Sequence, residues 1–121
     1  MHAADFEATP SAALLAQAAK ALADPMRLEM LALMSRGSDC CPVPAEHPGQ
    51  RPPGVCVCEI QQLLGLAQSR VSYHLRVLKE AGLISEANRG KWAFYSVNTD
   101  AVESVLARLR ETVLGRSSGM A

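Results

Sequence analysis

Apolar residues recur at helical spacing through most of the chain and change to strand spacing once. From Ser11 to Ala23, SAALLAQAAKALA sets Leu14, Ala18 and Leu22 at i, i+4 and i+8, which predicts an alanine-rich helix with one apolar stripe. Asp24-Pro25 follows as an N-cap and a first-turn proline, since proline lacks only an N–H that would be unpaired there. The helix they open, MRLEMLALMSR, is apolar on nearly every side, so it is expected to be central and buried, and Gly37 closes it.

Periodicity stops over residues 38–55. Five prolines (Pro42, Pro44, Pro48, Pro52 and Pro53) and two glycines exclude helix and interior strand, so a long loop is expected. Helical spacing resumes from Cys58 to Leu64, with Ile60, Leu63 and Leu64 on one face and Gly65 as the stop. After Leu66-Ala67 a second helix runs from Gln68 to Ala81 and ends at Gly82. Ile84–Ala87 and Trp92–Val97 then read as two strands around the turn Asn88-Arg89-Gly90-Lys91. Asn98-Thr99-Asp100 caps a last helix with Val102, Val105, Leu106, Leu109 and Val113 along one face.

The predicted architecture is mainly α: a winged helix-turn-helix of about five helices plus a two-stranded hairpin wing. Residues 1–10 and 116–121 are expected as tails around a domain spanning 11–115. At 121 residues, 49 % of them apolar and 20 % charged, the chain has the size and balance of one globular domain. No apolar run is long enough to span a membrane, and the acidic start MHAADFEATP lacks the basic segment of a secretory signal, so the expected location is cytoplasmic.

Twelve basic and twelve acidic residues cancel overall, so only the local distribution of charge can point to nucleic acid. Between Gln68 and Lys91 stand Arg70, Arg76, Lys79, Arg89 and Lys91 against Glu80 and Glu86. On the helix that opens at Gln68, Val71, Leu75 and Leu78 fall inward. Ser69, Tyr73 and Arg76 fall outward, with Gln68, Arg70 and Ser72 beside them. Hydroxyls, an aromatic ring and guanidinium groups on the N-terminal half of such a helix are the groups that bond phosphates and base edges in a major groove. Arg89 and Lys91, at the hairpin tip, are placed to reach the backbone or a minor groove. A charged outer face on a lone helix is ordinarily just solvated; here helix, turn, helix and basic hairpin come in order, and double-stranded DNA is the expected partner. His74 lies beside the inward stripe and is expected to be packed and hydrogen-bonded.

These residues resemble the ArsR/SmtB family of metal-sensing repressors. The run from Gln68 to Leu83 is similar to the family's S-x-x-S-x-HL-x-x-L-x-x-AGL recognition helix, and GKWAFYSV to its wing. CVCEI, containing Cys56 and Cys58, resembles the ELCVCDL box of the arsenic-responsive branch. The resemblance spans about residues 11–115 and fits the long loop poorly. It implies a homodimer that represses an operon until an inducer releases it from operator DNA.

Thiolates are soft ligands, so Cys40, Cys41, Cys56 and Cys58 select soft or borderline elements. Trivalent arsenic or antimony takes three thiolates in a pyramid, and zinc takes four ligands in a tetrahedron. Within a regular helix a Cys-x-Cys pair points about 200° apart. With Cys56 extended and Cys58 at the helix start, the two side chains can converge. By resemblance a third cysteine would stand at Gln61, so Cys40 or Cys41, folded back by the long loop, is the expected third ligand. The predicted inducer is As(III), with Sb(III) as a second candidate and zinc or cadmium ranked behind. Two other readings stay open: cysteines that sense oxidants, and a structural zinc held by all four. No nucleophile–base pair or phosphate-cradling loop points to an enzyme.

Overall fold

A computed structural model describes residues 9–36 and 54–115. Helix α1 (Pro10–Leu22) is followed by α2 (Pro25–Arg36). Strand β1 (Val55–Cys56) leads directly into α3 (Val57–Leu64) and α4 (Gln68–Glu80). Strands β2 (Ile84–Arg89) and β3 (Trp92–Val97) form the hairpin, and α5 (Thr99–Leu114) closes the chain. None of these helices is long and apolar enough to cross a membrane.

The element ends follow from local chemistry. The Thr9 hydroxyl accepts from the Ala12 N–H at 3.1 Å, and Pro10 occupies the first turn of α1. The Asp24 carboxylate accepts from Met26 N–H at 2.8 Å, and this bond holds its pKa below the usual range. Asn98 caps α5 by accepting from Ala101 N–H at 3.2 Å. At the end of α4, Gly82 in the left-handed region lets its N–H reach the Lys79 carbonyl and the Leu83 N–H reach that of Leu78, a Schellman stop.

The core gathers Met30 and Met34 of α2, Val55, Ile60 of α3, Val71, Leu75 and Leu78 of α4, and Leu83 and Ile84. The inward stripe expected for α4 is thus the buried one. Helix α2 is less enclosed than its composition suggests: Met30, Leu33 and Met34 are buried, whereas Leu28 is exposed. The stripe expected for α1 is also out of phase. Leu15, Ala18 and Ala21 are buried, and Leu14 points outward at 59 % exposure. An alanine-rich helix offers apolar side chains in several phases, and packing against α2, α4 and α5 selects among them.

The wing is larger than predicted. Its sheet has three antiparallel strands in the order β1-β3-β2, with Val55 opposite Tyr95 and Cys56 opposite Phe94. The long loop predicted to Val55 therefore ends sooner, because Val55 belongs to a strand. The hairpin turn is also tighter: the ladder continues to the Arg89–Trp92 pair, which leaves Gly90 and Lys91 as the turn, with Gly90 at φ +61°.

Candidate functional site

Two features lie on the same helical pair: the outer face of α4 and the cysteine step that opens α3. In α4, Gln68, Ser69, Arg70, Ser72, Tyr73 and Arg76 are all exposed, so the predicted reading residues share one solvent-facing surface. Tyr73 is half exposed, and the Arg76 guanidinium lies 5.7 Å from its ring centre, a cation–π contact that holds both side chains outward. Lys91 is exposed in the hairpin turn, with its ammonium 5.2 Å from the Trp92 ring. Arg89 is half-buried within β2 and donates to the Asn88 carbonyl at 2.8 Å, so it sits beside the tip rather than on it.

Lys79, counted above among the local positive charges, donates to Glu86 on β2. That bond raises the lysine's pKa and ties the C-terminal half of α4 to the wing. Tyr95 lines the same gap, its pKa raised by burial first and by the Glu86 carboxylate second. Among the described basic residues of this surface, those outside that ion pair are Arg70, Arg76, Arg89 and Lys91. The ion pair escapes a single-helix wheel because Glu86 lies on a different element; opposite charges on a helix end and the strand after it were the available signal.

His74 is buried at 4 % exposure, with Nδ1 3.1 Å from Nη1 of Arg27 in α2. Its packed, bonded environment is the one its position beside the stripe predicts.

The cysteine step is built by a change of backbone. Cys56 is the N-cap of α3 and extended, at φ −92° and ψ 165°, while Cys58 lies in the first helical turn. Cys56 is buried at 2 % exposure in a small cluster with Phe94 and Trp92, and Cys58 is exposed. Glu59 follows in the same turn, with one carboxylate oxygen buried and lacking a hydrogen-bond partner. Among the described residues no three His, Cys, Asp or Glu side chains form a group that could hold a metal ion. The two thiols match the soft donor type that arsenic requires but fall short of its number, so a three-sulfur site needs a further cysteine. Cys40 and Cys41 lie outside the described residues.

Comparison with known proteins agrees with this arrangement. Residues 53–86 match the profile described as bacterial regulatory protein, arsR family. The chain is 35 % identical over 89 residues to an arsenical resistance operon repressor of Bacillus subtilis, covering 73 % of this chain and 70 % of that protein. It is 31 % identical over 94 residues to the arsenic resistance transcriptional regulator ArsR1 of Pseudomonas putida, covering 78 % of this chain and 62 % of the relative. An ArsR-like transcriptional regulator from Rhodococcus sp. RHA1 shares the fold, with a TM-score of 0.65 and 20 % identity over 87 % of this chain and 83 % of that one.

Proposed function

Because the chain belongs to the arsR family of bacterial regulatory proteins, DNA-binding transcriptional regulators rather than enzymes, we propose that it is a metalloid-responsive repressor. It binds operator DNA as a homodimer and is released when trivalent arsenic is captured by Cys56, Cys58 and one of Cys40 or Cys41. The observation that carries this reading is the position of the cysteine pair: Cys56 caps the first helix of the reading pair, with its strand hydrogen-bonded into the wing. Bound arsenic would supply three As–S bonds that tie the thiols to one point. Cys56 is fixed in β1 and Cys58 rides on α3, so drawing them toward a third thiol loads α3, and α3 packs on α4.

On α4, Gln68, Ser69, Arg70, Ser72, Tyr73 and Arg76 contact the major groove, and Arg89 and Lys91 reach the backbone or the minor groove beside it. In a two-fold dimer the reading helices must stand about 34 Å apart to enter successive major grooves, so a small tilt in each protomer spoils both contacts. Full release requires on the order of 5 kcal/mol of preference for the free state, which two inducer sites per dimer can share. Arg76→Ala is expected to weaken operator binding about tenfold and to lower the slope of log affinity against log salt by about one if it contacts phosphate. Fluorescence anisotropy over a salt series checks both values.

The dimer surface is formed by α5 and α1. Leu106, Leu109, Val113 and Leu114 are exposed along α5 at 43–67 %, and Leu14 is exposed on the neighbouring helix. A charge placed within such a surface must be desolvated for the dimer to form. Leu109→Glu is therefore expected to raise the dimer dissociation constant at least about 100-fold, roughly 3 kcal/mol. Sedimentation velocity across a concentration series reads that constant.

The inducer assignment is tested by titrating a protein–operator complex with arsenite, zinc, cadmium and peroxide in parallel. Release by arsenite at the lowest concentration is expected. Release by peroxide alone, reversed by dithiothreitol, would establish an oxidant sensor, and stoichiometric zinc whose removal unfolds the protein would establish a structural site.

A further inference from the structure

The outer half of α4 has its role in DNA reading, while its inner half carries one polar side chain among apolar neighbours, His74. Arginine only donates hydrogen bonds, so in the contact with Arg27 the Nδ1 of His74 is the acceptor and its proton resides on Nε2. The other donors of Arg27 close the end of α1: Nε donates to the Ala21 carbonyl at 2.6 Å and Nη2 to the Lys20 carbonyl at 3.3 Å. The Asp24 carboxylate lies 3.8 Å from Nη1. One guanidinium thus joins the C-terminal carbonyls of α1, the first turn of α2 and the inner face of α4.

We propose that Arg27 and His74 form a clamp that sets the angle of the DNA-reading helix against the α1–α2 elbow, and that protonating His74 opens it. The proposal rests on α4 being the reading helix. Protonation at Nδ1 removes the acceptor and places a second positive charge against the guanidinium. The charged groups acting on the ring are Asp24 from the turn, Arg27 from α2 and Arg70 from the first turn of α4, with the Tyr73 ring packed edge-on at 5.2 Å. Burial is the largest influence and lowers the pKa of His74 below 6.5; Asp24 opposes this, and the two arginines reinforce it. The neutral, clamped form therefore prevails at neutral pH and above. The clamp is lost as pH falls below 6.5 and through the lowered pKa of His74.

The test compares the wild type, His74→Leu and His74→Asn on two duplexes of equal length. One is selected by the wild type from a random-sequence pool, and the other is an unselected member of that pool. Orientation governs base reading, whereas phosphate attraction depends on charge alone. His74→Leu is expected to keep the wild-type circular dichroism spectrum and a cooperative thermal transition, while losing about tenfold in affinity for the selected duplex and less than about twofold for the unselected one. Asn Oδ1 stands where Nδ1 stood, so His74→Asn should recover most of the loss. The wild type should lose affinity for the selected duplex progressively as pH falls below 6.5, beyond any loss shown by the asparagine variant. Equal losses on both duplexes, no recovery with asparagine, or the same pH profile in both proteins would overturn the clamp. A wild type that selects no duplex would remove the DNA-reading role of α4 and the clamp with it. Selection with indistinguishable variants would remove the clamp alone.

Discussion

Cys58→Ser is expected to leave operator affinity within about twofold while raising the arsenite concentration for half-release at least about 100-fold. The first value follows from exposure: Cys58 lies on the solvent side of the first turn of α3, where a substitution typically changes stability by less than about 0.5 kcal/mol. The second follows from donor chemistry. A serine hydroxyl is a hard, neutral donor and does not replace a thiolate on a soft element. Disturbing groups that merely orient a ligand costs roughly 10–100-fold in metal affinity, so removing a bonded sulfur should cost more. Cys56→Ser is a poorer probe, because Cys56 is buried against Phe94 and the substitution would also disturb the sheet. Paired anisotropy titrations of the wild type and Cys58→Ser measure both quantities. Release of the variant at the wild-type arsenite concentration would exclude Cys58 from the sensor.

Gly54→Ala is expected to destabilise the chain by at least about 3 kcal/mol, a large share of the 5–15 kcal/mol that typically separates a folded domain from its unfolded chain. Gly54 has φ +105°, and an added Cβ would stand 1.9 Å from the Tyr95 carbonyl oxygen, a backbone atom of the central strand that cannot turn aside. To make room, β1 must leave β3, and Cys56, two residues on, moves with it. Gly65→Ala is the matched control. Its φ of +66° is also left-handed, but nothing lies within 4 Å of its added Cβ, so only the backbone preference of about 1 kcal/mol is lost. Unfolding free energies from urea titrations of the two variants should differ by the remaining ~2 kcal/mol or more, read as a lower midpoint for Gly54→Ala at unchanged slope. Equal midpoints would mean that the close approach at Gly54 contributes nothing to stability.

Local punctuation made most of the fold legible from the sequence. Asp24-Pro25, Gly65, Gly82 and Asn98 each act through bonds to residues within a turn or so, so the helix limits could be read without knowing the partners. The outer face of α4 was legible for the same reason, since a wheel places residues of one helix unaided. Features that depend on distant residues were not legible. Strand β1 is two residues long and is a strand only because Tyr95 and Phe94 come alongside it from 38–40 positions away. The Arg27–His74 contact joins positions 47 apart. The phase of α1 was misread because alanine permits several stripes. Of the thiol site, the extended-to-helical step at Cys56 and Cys58 was foreseeable from Gly54 and the helical spacing that follows. The proposed third thiol falls among residues 37–53, outside the described residues.

Coupling between arsenic capture and loss of DNA is read in one experiment: size-exclusion of chain, operator duplex and sub-saturating arsenite, with arsenic quantified across the peaks. One arsenic per chain in the DNA-free protein peak, and essentially none in the protein–duplex peak, is the predicted result. Arsenic at the same ratio in both peaks would show that the thiols hold it without loosening the grip on DNA, and release by sulfur capture would be wrong.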